Sequence, residues 1–480
     1  MDSVVPVNKR SYKIPEVLPE GYFRTYDIRG AVAEDGLHED VAYAIGRAVA
    51  AMARERGIRD IIVGRDGRLS GPVLKAALIA GLLASGCHVI DIGVVSTPML
   101  YFATHRLSTN TGIMVTASHN PRDHNGFKVV LDGTTLSTEG VQEILQRIKS
   151  RSFVEGEGST ETVDVVDDYV EYIKQHVKLK RRLKVVVDCG NGAASLVAAQ
   201  LYRDMGCDVV ELYCELDGNF PHHHPDPSVP ENLTDIIAKV KEVQADLGLA
   251  FDGDADRIGL VTNKGDIIWP DRQTMLFACD VLKRYPGADI VFDVKCTNNL
   301  AKVVKDHGGN PVMYRTGHSL LKGKMIELGA PLAGEMSGHI FFKDQWFGFD
   351  DGVYVGARLL QILAAQNRAL SDLFDELPSS VNTPEIKMPM PEDKKSDFMH
   401  RLMTKVDFEK VAKKFGFDPA AIQKITIDGL RIDFGRAWGL VRPSNTSPYL
   451  TIRFEADTQH DLDQVMALFQ EVFSELGVSE

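Results

Sequence analysis

Asp252, Asp254 and Asp256 stand at alternate positions in Asp252-Gly253-Asp254-Ala255-Asp256-Arg257, directly after the apolar run Leu247-Gly248-Leu249-Ala250-Phe251. Alternation at a strand end aims the three carboxylates to one side, and hard oxygen ligands so grouped suit Mg²⁺. Without a cation they would repel one another. An EF-hand is excluded, because Arg257 stands where that loop needs Gly and Asn263 where it needs a bidentate acid. A solvated acidic turn is the plain alternative. Three protein oxygens leave octahedral positions open, and the hydroxyl of Ser118, or a phosphoryl group on it, is the candidate to fill one.

Ser118 lies in Thr116-Ala117-Ser118-His119-Asn120-Pro121, after the apolar run Gly112-Ile113-Met114-Val115. A strand delivers its hydroxyl to a loop in which Pro121 biases Asn120 away from helix. Taken alone, a turn or N-cap serine is the commoner use of such a residue. Lys128, in Gly126-Phe127-Lys128, is close enough in sequence to serve as a base or phosphate clamp, although a lysine after a turn is usually just solvated. Gly334-Glu335-Met336-Ser337-Gly338-His339 joins a carboxylate, a hydroxyl and an imidazole, the groups that vicinal sugar hydroxyls require; a structural Glu335–His339 pair is the competing reading. Arg442-Pro443-Ser444-Asn445-Thr446-Ser447-Pro448 offers a bidentate cation, hydroxyls and loop N–H groups to a phosphate, or is a solvated turn; it lacks the P-loop spacing. Tyr26 and Arg29 add candidate phosphate contacts, or form an aromatic ring packed under an exposed guanidinium. The run His222-His223-His224, framed by Pro221 and Pro225, cannot converge on one ion and reads as structural or solvated.

Three similar units position these groups. Ile61-Ile62-Val63, the turn Gly64-Arg65-Asp66-Gly67, a helix from Pro72 to Ser85, Gly86 and the strand Val89-Ile90-Asp91-Ile92 form the first. Val185-Val186-Val187 to Val209-Val210-Glu211-Leu212, with a helix to Met205, repeats the order, as does Ile290-Val291-Phe292 to Val312-Met313-Tyr314, with a helix to His307. Such βαβ units require right-handed crossovers, so three topologically related α/β domains are expected. A helix-period segment from Asp40 to Arg56 precedes them. Pro384, Pro389 and Pro391 with Glu392-Asp393-Lys394-Lys395 read as a linker to a smaller C-terminal α+β domain. There Leu430 to Phe434 alternates, Tyr449 to Phe454 reads as a strand, and the last helix carries a seam from Leu462 to Leu476. The expected bounds are 1–160, 161–264, 265–380 and 381–480, around a central cleft.

At 480 residues with 44% apolar and 25% charged content, the chain is an ordinary multidomain globular sequence. A net charge of −13 argues against general binding to nucleic acid or an anionic membrane, while allowing a concentrated basic pocket for a small anion. Six scattered cysteines without a CxxC pair read as reduced core thiols. Met1 to Pro15 has no apolar h-region, and the longest apolar run, Ala76 to Cys87, falls short of a membrane span, so a cytoplasmic location is expected.

The four motifs around Ser118, Asp252, Glu335 and Arg442, in that order over nearly the whole chain, resemble those of the α-D-phosphohexomutase family. Met336 resembles the phosphomannomutase/phosphoglucomutase group, since aminosugar relatives usually carry Gln there; Asp217-Gly218-Asn219-Phe220-Pro221 followed by the His run is similar to that group too. The resemblance implies reversible interconversion of mannose or glucose 1-phosphate and 6-phosphate through a phosphoserine and a 1,6-bisphosphate that reorients. It implies Ser118 as phosphoryl carrier, with Asp252, Asp254 and Asp256 holding one Mg²⁺ beside it, and Lys128, His339 and Arg29 as proton-transfer or supporting groups. Glu335 and Ser337 would bind sugar hydroxyls; Tyr26, Arg257, Lys295, His318, Arg442, Ser444, Asn445 and Thr446 would hold the rest of the substrate, chiefly its non-reacting phosphate. Glucose or mannose 1,6-bisphosphate would be the activator, hexose phosphates the only partners, and the chain a monomer or weak dimer. Pro443, where many relatives carry a small residue, stiffens a loop that reorientation should require to move. The competing activities are a phosphoglucosamine mutase, a serine-dependent sugar phosphatase and a non-catalytic sugar-phosphate sensor.

Overall fold

The computed structural model describes residues 11–444 and 448–478. Four sheets succeed one another along the chain, and the first three share an arrangement that goes beyond the expected βαβ unit. In the first, Asp60–Arg65 runs parallel to His88–Val94 on one side and to Gly112–Val115 on the other, and Gly112–Val115 then turns back as the antiparallel strand His124–Leu131. In the second, Lys184–Asp188 lies between Asp208–Leu212 and Leu247–Phe251, and Leu247–Phe251 pairs antiparallel with Ile258–Thr262. Asp289–Asp293, Asn310–Tyr314, Leu332–Gly334 and Ile340–Phe342 repeat this in the third. Each unit therefore closes with an antiparallel hairpin, and the Ser118, Asp252 and Glu335 motifs are the connections of those three hairpins.

The apolar runs are buried because helices cover both faces of each sheet. Glu39–Glu55 and Gly71–Leu83 pack on the first sheet, where Gly46 and Gly81 allow close approach: a Cβ at either would lie 2.3 Å from a backbone oxygen of the other helix. The first three units also share one continuous apolar cluster that includes Ile62, Leu249 and Phe292.

The last sheet is wholly antiparallel at its centre, with Tyr449–Ala456, Ala437–Pro443, Leu430–Asp433 and Gln423–Ile425 in order. It has its own core, against which the helix Gln459–Glu475 buries Leu462, Val465, Leu468, Phe469, Val472 and Phe473. Two expectations need correction here. The proline-rich stretch is not an open linker: Ile386–Pro389 pairs with Tyr449–Ala456, and Glu392–Lys405 is a helix. Pro389 is tolerated because it ends an outer strand. Arg442 and Pro443 are strand residues opposite Thr451 and Leu450, so the stiffening of Pro443 falls on a strand end. The N-terminal residues 1–10 and Asn445, Thr446 and Ser447 lie outside the described residues. No helix among the described residues is long and apolar enough to cross a membrane.

Candidate functional site

The three carboxylates come to the Ser118 loop through the hairpin turn of the second sheet. Ser118 has a φ of 49°, a left-handed conformation that a residue with a Cβ adopts only when its surroundings impose it. Arg68 supplies much of that constraint. Its fully buried guanidinium donates to the carbonyls of Ser118 and Asn120 at 2.7 Å each, Pro121 at 2.6 Å and His124 at 3.0 Å. Asp66 pairs with Arg68 at 3.2 Å and accepts from Thr116 Oγ1 at 2.7 Å, while Thr116 Oγ1 accepts from Ser118 N–H at 2.9 Å. Gly253 has to be glycine, since a Cβ there would lie 2.3 Å from the Ser118 carbonyl oxygen.

Ser118 Oγ donates to Asp252 Oδ2 at 2.6 Å. Asp252, Asp254 and Asp256 are each 0% exposed, which excludes the solvated turn. Lys128 Nζ donates to Asp254 Oδ2 at 2.7 Å and Asp256 Oδ2 at 2.5 Å, and Thr97 Oγ1 donates to Asp254 Oδ2 at 2.5 Å. Burial, then the neighbouring Asp254 and Asp256, pushes the Asp252 carboxyl well above its ordinary range. Burial also works against charge on Lys128, but Asp254 and Asp256 outweigh it and hold the ammonium protonated. Three carboxylates face two cations, the Lys128 ammonium and, at 3.9 Å from Asp252 and Asp256, the Arg257 guanidinium, which leaves the cluster one positive charge short. Asp254 Oδ1 and Asp256 Oδ1 are buried with no hydrogen-bond partner among the described residues, and ligand oxygens of the three Asp residues lie within 4.8 Å of one another. A hard divalent cation fits that oxygen set and deficit.

The third hairpin brings Glu335, Ser337 and His339 beside this cluster. Ser337 Oγ donates to Glu335 Oε1 at 2.7 Å, leaving Oε2 without a partner among the described residues. Burial raises the Glu335 carboxyl, but His339 and Lys295 outweigh it and keep it ionised. Arg257 Nε donates to His339 Nε2 at 3.0 Å, which assigns the ring proton to Nδ1, 2.9 Å from Asp350 Oδ2. His318 stacks on His339 with centroids 5.2 Å apart, and burial pulls its pKa down to about 4.

A cleft of about 360 Å³ opens from these groups toward the last sheet. Tyr26, Arg29, Arg257, His318 and Arg442 line it; Ser118 lies just beneath, with His119 and Asn120 on the wall. Tyr26 OH donates to Thr316 O at 2.8 Å, Arg29 Nη1 to Asn120 Oδ1 at 3.0 Å, and Arg442 Nε to Asp428 Oδ2 at 3.1 Å. Ser444 lines the same wall, whereas Asn445 and Thr446 lie outside the described residues. Lys295 stands behind the wall, its Nζ 2.7 Å from Glu385 Oε1, and Glu385 is what faces the cleft. The His run is structural: His222 hydrogen-bonds Asn191 Oδ1 at 2.8 Å and stacks on Tyr213, and His223 Nε2 lies 3.0 Å from Asp188 Oδ2.

Residues 20–155 match phosphoglucomutase/phosphomannomutase alpha/beta/alpha domain I, 167–265 domain II, 269–381 domain III and 385–472 the C-terminal domain. The chain belongs to the phosphoglucomutase/phosphomannomutase family. It is 52% identical over 456 residues to the phosphomannomutase/phosphoglucomutase of Pseudomonas syringae pathovar tomato, covering 95% of this chain and 96% of that one. With the phosphoglucomutase of Neisseria gonorrhoeae it shares 51% over 452 residues, 94% and 96% of the two chains. The crystal structure of a phosphoglucomutase/phosphomannomutase family protein from Burkholderia thailandensis superimposes with a TM-score of 0.89 at 47% identity, covering 96% of this chain and 98% of that one.

Within this family frame, sequence reading missed Asp66, Arg68, Thr97, Asp350 and Glu385. Asp66 and Arg68 had a usable signal: they follow the C-terminal end of a parallel strand, where open α/β sheets place ligands. Asp350 had none, since it meets His339 only through the tertiary fold.

Proposed function

We propose that the protein interconverts hexose 1-phosphates and hexose 6-phosphates of the mannose and glucose series by phosphoryl transfer through Ser118. The observation that carries this is the joining of Ser118 Oγ to Asp252 at 2.6 Å beneath a cleft whose far wall holds Arg442. In the forward half-reaction the bond between phosphorus and Ser118 Oγ breaks, a bond from phosphorus to the sugar's free hydroxyl oxygen forms, the hydroxyl proton passes to His339 Nε2, and the leaving Ser118 oxygen takes up a proton to become the hydroxyl that donates to Asp252. Arg257 must swing off that nitrogen as the hydroxyl arrives, and Asp350 keeps the proton on Nδ1, so that Nε2 is the base. The bisphosphate then turns in the cleft and returns its other phosphoryl group to Ser118.

Asp252, Asp254 and Asp256 would hold Mg²⁺, which when bound offsets charge on the transferring phosphoryl group. Lys128 stabilises the same charge from its seat between Asp254 and Asp256. Glu335 and Ser337 take sugar hydroxyls, and Tyr26, Arg29, His318, Arg442 and Ser444, with Asn445 and Thr446 next in sequence, take the resting phosphate, while Lys295 neutralises Glu385 on the same wall. The depth of Ser118, 1% exposed, supports a mutase over a phosphatase because a phosphoserine there is kept from water. Hexose 1,6-bisphosphate is the activator in this reading.

The test is a coupled assay of glucose 1-phosphate and mannose 1-phosphate with Mg²⁺ and glucose 1,6-bisphosphate, with free phosphate measured in parallel. Wild type should form the 6-phosphates with little phosphate release, and Ser118→Ala should lose on the order of 10⁴-fold or more in rate. Near-normal rates in Ser118→Ala, or phosphate released as fast as isomer forms, would overturn the proposal.

A further inference from the structure

Cys189 and Cys214 bring their sulfurs to 3.2 Å in a chain whose other four cysteines have no hydrogen-bonded sulfur neighbour among the described residues. Cys189 follows the strand Lys184–Asp188 and Cys214 follows its parallel neighbour Asp208–Leu212, with Asp188 opposite Leu212, so both thiols leave adjacent strand ends. Cys189 is fully buried and Cys214 partly exposed. We propose that this pair is a reversible oxidation site, closed to a disulfide by peroxide, whose closure slows the phosphoryl transfer at Ser118. The effect on activity rests on the function proposed above; the chemistry of the pair does not.

The path to the site is short and made of backbone. Gly192 N–H donates to the Cys189 carbonyl at 2.7 Å, and Ala193 N–H donates to the Gly253 carbonyl at 2.9 Å. A Cβ on Gly192 would lie 2.9 Å from that same Gly253 oxygen, and one on Gly253 would lie 2.3 Å from the Ser118 carbonyl oxygen. No side chain cushions these contacts. Closing 3.2 Å to a bond of about 2.05 Å draws the sulfurs together by about 1.1 Å, and the Cys189 turn carries that movement to the loop bearing Asp252 and Asp254.

The chemistry balances with peroxide as the named oxidant. Cys214, the accessible partner, attacks one peroxide oxygen; the O–O bond breaks, leaving a sulfenic acid and one water. Burial and its contact with Cys214 keep Cys189 as a thiol, so its sulfur attacks the sulfenic sulfur while its proton leaves with the departing hydroxyl as a second water. Two thiols lose two electrons and peroxide is reduced to two waters. An added dithiol reverses the bond by exchange.

The purified protein is treated with hydrogen peroxide, alkylated, digested without reduction and mapped by mass spectrometry, with isomer formation assayed in parallel. A peptide joining Cys189 to Cys214 is expected, with activity lower by about tenfold to a hundredfold, the scale of a ~1 Å misplacement, and restored by dithiothreitol. Cys214→Ser should keep basal activity and withstand the treatment, whereas Cys279→Ser should remain as sensitive as wild type. Absence of the joined peptide, a joined peptide with unchanged activity, or equal inactivation of Cys214→Ser overturns the proposal. If untreated wild type shows no mutase activity, the functional reading fails while the peptide map still decides the disulfide.

Discussion

At the Ser118 end of the cleft, the loop itself is buried and tied: Arg68 spans four carbonyls, Thr116 holds the Ser118 N–H, and Lys128 bridges two carboxylates. At the Arg442 end, the groups hang from a hairpin of a sheet with a separate core, joined to the third unit by the small apolar contact of Val294, Trp438 and Leu440. Polar links add to that joint: Arg431 stacks 3.6 Å above Trp438 and donates to the carbonyl of Cys296 at 2.9 Å, and Asn298 Nδ2 donates to Asp433 Oδ2 at 2.6 Å. The contrast fits the two tasks. Under the proposed function Ser118, as phosphoryl carrier, has to keep one geometry, since a shift of about 1 Å costs on the order of 100-fold. Under the same proposal the far wall has to accept a substrate in two orientations, and a unit with its own core can move as a body without breaking either core.

The largest expected break in the comparison is Arg68→Met. It leaves Asp66 buried without its cation and removes the four carbonyl bonds, so thermal or denaturant unfolding should show a loss of about 3–5 kcal/mol. Should Arg68→Met match wild type in stability and activity, the tied end is not what holds Ser118.

Asp351 sharpens the same point through pH. Burial pushes its carboxyl up to about 7, against hydrogen bonds from Tyr354 N–H and Tyr169 OH that lower it. Its folded pKa lies above the ordinary 3.8, so the native state holds a proton that the unfolded state has released between those values. The sign follows: stability from this group is present at low pH and falls as pH rises from about 4 to about 7, by up to about 4 kcal/mol. Asp351→Asn should therefore gain stability relative to wild type across that window, read as the difference in Tm; a pH-independent difference refutes the assignment.

Asp350→Asn should lower kcat by about tenfold to a hundredfold, a fraction of a general base's worth, while leaving KM little changed. A rise in KM alone would place Asp350 in substrate binding. Arg442→Lys keeps the charge but loses the fork, so KM should rise by about tenfold with kcat nearly preserved. An equal loss in kcat would mean that the far wall is as tightly coupled to the chemistry as the Ser118 end.

Each motif was legible in the sequence because it is local. The run of Asp252, Asp254 and Asp256, the serine before Asn120-Pro121, the Glu335 loop and Arg442 are each dictated by a hairpin turn and by the chemistry of a few neighbouring side chains. The three βαβ units were legible too, since apolar periodicity and the glycine stops at Gly86, Gly206 and Gly308 are written in consecutive residues. The strand Ala437–Pro443 was not, nor the pairing of Ile386–Pro389 across a proline-rich stretch, because strand pairing depends on a partner supplied from elsewhere in the chain. By itself, the sequence determined which residue types stand ready for phosphoryl chemistry and which turns present them. Only the tertiary structure decided that Lys128 serves Asp254 and Asp256, that Arg68 braces the Ser118 loop, and that Asp350 lies 2.9 Å from His339 Nδ1. Buried charges find their partners in space, where desolvation forces pairing, and the distance between partners along the chain carries no trace of it.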